Sequence, residues 1–168
     1  MSDAQAVISS SHEAVDAFIK AARAIPASRW KMPRATGKWS PGQVTEHVTL
    51  TYEQGRRMLA GTYVGQVEPR YRQLLARFVF LPWLFSRKRF GKGLQAPDFI
   101  RPGELPASSG VLLARLESAA SALEADLAAA ADGHGAEIDH PIFGHLYLAD
   151  MLRFLAIHTD HHRPQLQA

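Results

Sequence analysis

Apolar residues recur at three- and four-residue intervals in four stretches of the chain, and no stretch alternates convincingly as a half-buried strand would. Val15, Phe18, Ile19 and Ala22 predict a first helix from about Ser11 to Ile25, closed by Pro26. The second starts at Ser40, a cap residue followed by Pro41 at the first helical position and by Gln43 three residues on, which completes a capping box. It is predicted to reach Leu59 or Ala60 and stop at Gly61, with Val44, His47, Val48, Thr51, Gly55, Met58 and Leu59 facing inward. The third should start near Ser108 or Ser109, carry Leu112, Leu113, Leu116, Ala120, Leu123 and Leu127, and end before Asp132-Gly133. The fourth should run from Leu146 or Tyr147 to Arg163, with Pro164 stopping it. Four amphipathic helices predict an all-α fold, a four-helix bundle within one domain.

Residues 62–105 break the pattern. Residues 73–81 predict a short helix ended by Pro82, and the remainder reads as a long irregular linker between the second and third helices. A connection of this length usually carries a function, forms an interface or moves.

The fourth stripe ends in histidine. Met151, Leu155, His158 and His162 are spaced four, three and four apart, so at roughly 100° per residue both imidazoles stay on the inward face. Two inward imidazoles one turn apart suit a metal ion, and equally suit a hydrogen-bonded pair of core histidines or a frayed last turn. His47, two turns into the second helix, is a third inward histidine. Helices of a bundle gather such side chains in its interior. Three protein ligands with an open position are the pattern of a catalytic metal site, whereas a structural site is closed by a fourth.

Composition narrows the chemistry. Among 168 residues there is no cysteine, which excludes disulfides, thiolate ligands and a cysteine nucleophile. A metal site must then use His with Asp or Glu, which suits zinc, nickel, iron or manganese better than copper(I). The first eleven residues lack a basic segment followed by an apolar run, and no stretch approaches the roughly 20 apolar residues of a membrane span, so a cytoplasmic protein is expected. The net charge of +3 is local, since residues 62–105 hold eight Lys/Arg against three acids.

The Trp39-Ser40 pair ahead of Gln43 and His47, the loop His140-Pro141-Ile142-Phe143-Gly144, and the terminal His158-Thr159-Asp160-His161-His162-Arg163-Pro164-Gln165-Leu166 together resemble the DinB superfamily, the DinB/YfiT-like metalloenzymes. The resemblance spans essentially the whole chain. It implies an up-down-down-up four-helix bundle, a divalent metal on His47, His158 and His162, and a homodimer. Relatives of that kind include S-transferases acting with bacillithiol or mycothiol and a mycothiol-dependent maleylpyruvate isomerase, so the co-substrate that the resemblance implies is a low-molecular-weight thiol.

No general base stands out. Glu46 adjoins His47 but lies about 100° off the inward face, and Asp160 points away from the stripe. His161 reads as a group supporting a ligand or as a stand-in ligand, Thr51 as a hydroxyl one turn after His47, and Gln43 as a pocket residue whose capping role already accounts for it. Gln165 belongs to the matched motif without an evident role. His12 and His134 should be exposed, while His140 and His145 flank the loop into the fourth helix and are within reach of the bundle's end.

Residues 70–92 interleave Arg70, Arg72, Arg77, Arg87, Lys88, Arg89 and Lys92 with Tyr71, Phe78, Phe80, Trp83, Phe85 and Phe90. Their apolar members suit a cover for the bundle or a dimer seam. A lid attracting an anionic small-molecule substrate and a contact with a membrane surface or nucleic acid are the competing readings, but no nucleic-acid motif is present and no nucleic-acid partner is expected. The function expected is a divalent-metal-dependent transferase or hydrolase. The alternatives are a metal-braced bundle without catalysis and an interaction protein working through the basic aromatic linker.

Overall fold

A computed structural model describes residues 3–91, 95–104, 106–130 and 132–167. The chain is mostly helical: α1 spans Asp3–Arg23, α2 Pro41–Leu59, α3 Arg70–Leu75, α4 Leu81–Arg87, α5 Ser109–Ala128 and α6 Leu148–His162. A π-helical turn, Ala76–Phe80, joins α3 to α4, and 3-10 turns lie at Asp98–Ile100 and Arg163–Leu166. The long helices α1, α2, α5 and α6 pack on one another, α1 against α5 and α6, and α2 against α5 and α6. Their shared core is built from Phe18, Val48, Tyr52, Leu116, Leu123, Leu152 and Leu155, all fully buried. Among the described residues no helix is long and apolar enough to cross a membrane.

The expectation of an all-α chain is corrected by a small sheet. β1 (Glu137–His140) and β2 (Gly144–Tyr147) pair antiparallel, with Ile138 opposite Leu146 and His140 opposite Gly144. Each strand has four residues and sends few apolar side chains inward, too few for a period of two to register in the sequence. The hairpin takes the residues assigned to the start of the fourth helix, which begins at Leu148 instead.

The first helix begins at Asp3, well before Ser11. Ser9, Ser10 and Ser11 look like a boundary, yet Ser11 is buried on the same face as Val7, Ala14, Val15 and Phe18.

Residues 70–87 form an arm that is helical for most of its length, and Pro82 does not end a helix there. It sits in the first turn of α4, where its missing N–H needs no partner, directly after the widened π turn. Leu81 and Leu84 anchor the arm in the core, and the hairpin holds its start: Glu68 N–H and Gln73 Nε2 both donate to the carbonyl of Pro141, at 2.9 and 3.4 Å. Gly144 makes the approach possible, because its φ of +65° suits glycine and a Cβ there would lie 3.0 Å from Gln73 Oε1. The outer face of the arm leaves Tyr71, Leu74, Leu75, Phe78, Val79 and Trp83 exposed. Lys92, one of the cations of this stretch, lies outside the described residues.

Candidate metal centre

The predicted capping box forms. Ser40 Oγ accepts from Gln43 N–H at 3.2 Å, and Gln43 Oε1 accepts from Ser40 N–H at 3.0 Å. This fixes where α2 starts and therefore which side chain stands two turns in, His47. Gln43 Nε2 then donates to the carbonyl of Gly103 at 3.0 Å, and Glu46 accepts from Gly103 N–H at 3.0 Å. The segment before Gly103 is so held against α2, and its Ile100 carbonyl accepts from His47 Nδ1–H at 2.7 Å.

On α6, His158 and His162 come round on the buried face one turn apart. The helix tightens into a 3-10 turn after His162, which brings Gln165 Oε1 to 3.2 Å from His162 Nδ1. An imidazole that donates from Nδ1 presents a lone pair at Nε2. His47 and His162 are both committed in this way, to a carbonyl and to a side-chain amide oxygen respectively. Oriented rings with the second nitrogen engaged are what metal-ligating histidines show.

The three rings meet. His47 and His162 centroids are 4.6 Å apart, His158 and His162 4.5 Å, and one nitrogen from each of the three lies within 4.8 Å of the others, all three residues buried. His47 Nε2 is 3.0 Å from His158 Nε2, while His158 Nδ1 is buried without a partner among the described residues. As neutral rings they form a poorly satisfied pair, since one proton on His158 leaves its Nδ1 unpaired whichever nitrogen carries it. Two nitrogens about 3.0 Å apart also match two ligands each about 2.1 Å from one ion. The donor set therefore fits a divalent cation.

Burial keeps these rings neutral and ready to coordinate. Desolvation brings His47 down to about 4 and His162 to about 3, with the neighbouring histidines adding to the depression, and it holds His158 well below the ordinary range.

The cluster opens on a cavity of about 1070 Å³. Trp39, Phe80, Phe90, Phe99, Phe143 and Phe154 supply much of its wall, so the arm contributes aromatic surface to the site. No described Asp or Glu lines it, whereas Arg34, Lys38 and Arg101 do.

His161 is partly buried outside the trio, 5.2 Å from the ring of Phe90, and its Nε2 lies 3.4 Å from Gln165 Nε2. Thr51 donates to the carbonyl of His47 at 2.8 Å and so engages the helix backbone, not a ring. Asp160 is exposed and pairs with Arg163. His145 sits on the outer side of the hairpin between Glu137 and Asp139. His12 is exposed beside Asp16 and Glu124, and His134 is exposed against the Tyr147 ring. Two roles had no signal in the sequence: the Ile100 carbonyl, which reaches His47 from 53 positions away, and Gln165, whose contact depends on the tightened turn after α6. His140 is buried and lines the cavity.

The chain is mostly helical and buries, beside a cavity, three convergent histidines of a kind able to hold a metal ion. The chain belongs to the DinB superfamily, whose family model matches residues 12–166, nearly its whole length. No curated protein and no solved structure matches it.

Proposed function

We propose that this chain is a divalent-metal-dependent enzyme whose ion is held by His47, His158 and His162. The observation that carries the reading is the convergence of three buried, neutral imidazoles beside a cavity, two of them fixed through Nδ1 by Ile100 and Gln165. A bound ion would act as a Lewis acid, lowering the pKa of a bound water toward about 7 or stabilising a thiolate. Zinc or nickel is the ion proposed first, with iron and manganese compatible with the same ligands.

For the reaction, transfer to or from a low-molecular-weight thiol is proposed, with hydrolysis as the other class. The chain has no cysteine, so the thiol would arrive as a substrate. The residues themselves would orient the three rings, exclude water with the aromatic wall and attract an anionic group through Arg34 and Lys38. We also read the four long helices as the up-down-down-up bundle of one domain.

Elemental analysis of protein purified without an affinity tag tests the metal. About one equivalent of ion, followed by turnover in a screen of thiol transfers and hydrolyses, is the expected result. No metal after incubation with each ion would end the reading. Stoichiometric metal without turnover would favour an ion that only braces α2 against α6.

The exposed apolar face of the arm favours a second role, as an interaction surface. A second copy of this chain is its proposed occupant, tested by sedimentation equilibrium of the native protein and of Phe78→Glu. A dimer lost in the variant supports it. A monomer that binds anionic vesicles in a salt-dependent way would replace it with a membrane-surface contact.

A further inference from the structure

His140 is set apart from the three clustered histidines by how its ring is held. Its Nδ1 accepts two backbone hydrogen bonds, from Ile142 N–H at 3.1 Å and Phe143 N–H at 3.3 Å. A nitrogen that accepts two N–H groups carries no proton, so the neutral ring has its hydrogen on Nε2. That Nε2–H has no hydrogen-bond partner among the described residues and is not sealed off, and His140 lines the cavity that adjoins the trihistidine cluster. The residue itself is only 5% exposed. Phe143 lies along its ring at 4.6 Å and 31°, and Phe154 meets it edge-on at 6.1 Å.

A donor of a buried ring that has no protein acceptor and opens on a cavity meets water or a ligand there. We propose that His140 is a ligand-binding residue: its Nε2–H donates a hydrogen bond to an acceptor oxygen, a carbonyl or an oxyanion, of a small molecule whose apolar body lies against Phe143 and Phe154. The assignment rests on the reading that this cavity receives a small molecule, and it does not depend on the ion. The hairpin sets the specificity. Because the tautomer is fixed by the backbone of the turn, the ring offers a donor and rejects a ligand that presents a donor at the same point.

Acetophenone, which joins a carbonyl to an aromatic ring, and α-methylstyrene, its isostere without an acceptor, are the probes. Imidazole nitrogens of the full-length ¹⁵N-histidine-labelled protein are followed by long-range correlation spectra. The expected result is an Nε2–H tautomer for His140 throughout about pH 5 to 8, where an ordinary histidine titrates. Acetophenone should shift the His140 Nε2–H signal and bind about fivefold more tightly than α-methylstyrene. His140→Asn keeps an acceptor beside Cβ for the amides of Ile142 and Phe143 and removes the cavity donor, so it should fold and lose the preference. An Nδ1–H tautomer, an Nε2–H signal that acetophenone leaves unmoved, or a preference that survives in His140→Asn overturns the proposal. The first two readings need no variant. A native protein that takes up no metal while His140 responds as expected would remove the metal reading and leave this one standing.

Discussion

Gln165 holds His162. Its amide oxygen lies 3.2 Å from His162 Nδ1, the chain having tightened by one 3-10 turn after α6 to bring it there. The contact leaves the lone pair of His162 on Nε2, the nitrogen free to coordinate. Gln165→Leu should therefore weaken metal binding by about 10- to 100-fold, the usual cost of losing such a support. Gln165→Glu, a stronger acceptor, should retain it. Competition with a chelator of known affinity measures both, and equal affinity in all three proteins would deny Gln165 this role.

Which histidines bind is the sharper question. His47→Ala or His162→Ala should abolish stoichiometric metal, whereas His161→Ala, whose ring stands outside the trio, should largely spare it. Elemental analysis of the three purified variants decides. Loss of metal in His161→Ala with retention in His162→Ala would reverse the assignment.

Much of this site was legible because its determinants are local. The Ser40 cap and the four- and three-residue steps from Met151 to His162 fix two helical phases, and the phases place His47, His158 and His162 inward. What was not legible depends on segments far apart in sequence or on a change of helix type. Nothing near His47 announces that its Nδ1 will meet Ile100, because the loop is seated on α2 by contacts distant in sequence, Gly103 with Gln43 and Glu46 and Phe99 with Gln54. Pro82 signalled an end, yet a π turn before it let the helical path continue. The hairpin is not legible because four-residue strands are too short to display a period of two, and the fixed ring of His140 depends on that hairpin.

Gly144 tests the hairpin's part in seating the arm. Ala at φ +65° costs about 1–2 kcal/mol in the left-handed region, and its Cβ would also press on Gln73 Oε1. Gly144→Ala should lower the urea midpoint accordingly, and adding Gln73→Ala should relieve only the steric part. If Gly144→Ala is as stable as the native chain, the turn does not need glycine.

Acid should destabilise the metal-free protein early. In the folded state His47 is depressed to about 4, and His140 and His162 to about 3, all principally by burial. The unfolded chain takes up these protons near 6.5, the ordinary histidine value. The unfolded state thus binds more protons as pH falls below about 6.5, and folding stability must decline with it. The stability from keeping each ring neutral is complete above about 6.5 and is lost progressively down to about 4 for His47 and about 3 for the other two. Within that window each contributes a slope approaching 1.4 kcal/mol per pH unit. Urea midpoints followed by circular dichroism at a series of pH values would show the decline beginning near 6.5. His140→Asn should flatten it by one histidine's share, and a midpoint that stays level from pH 6.5 to about 4 would contradict the burial of all three rings.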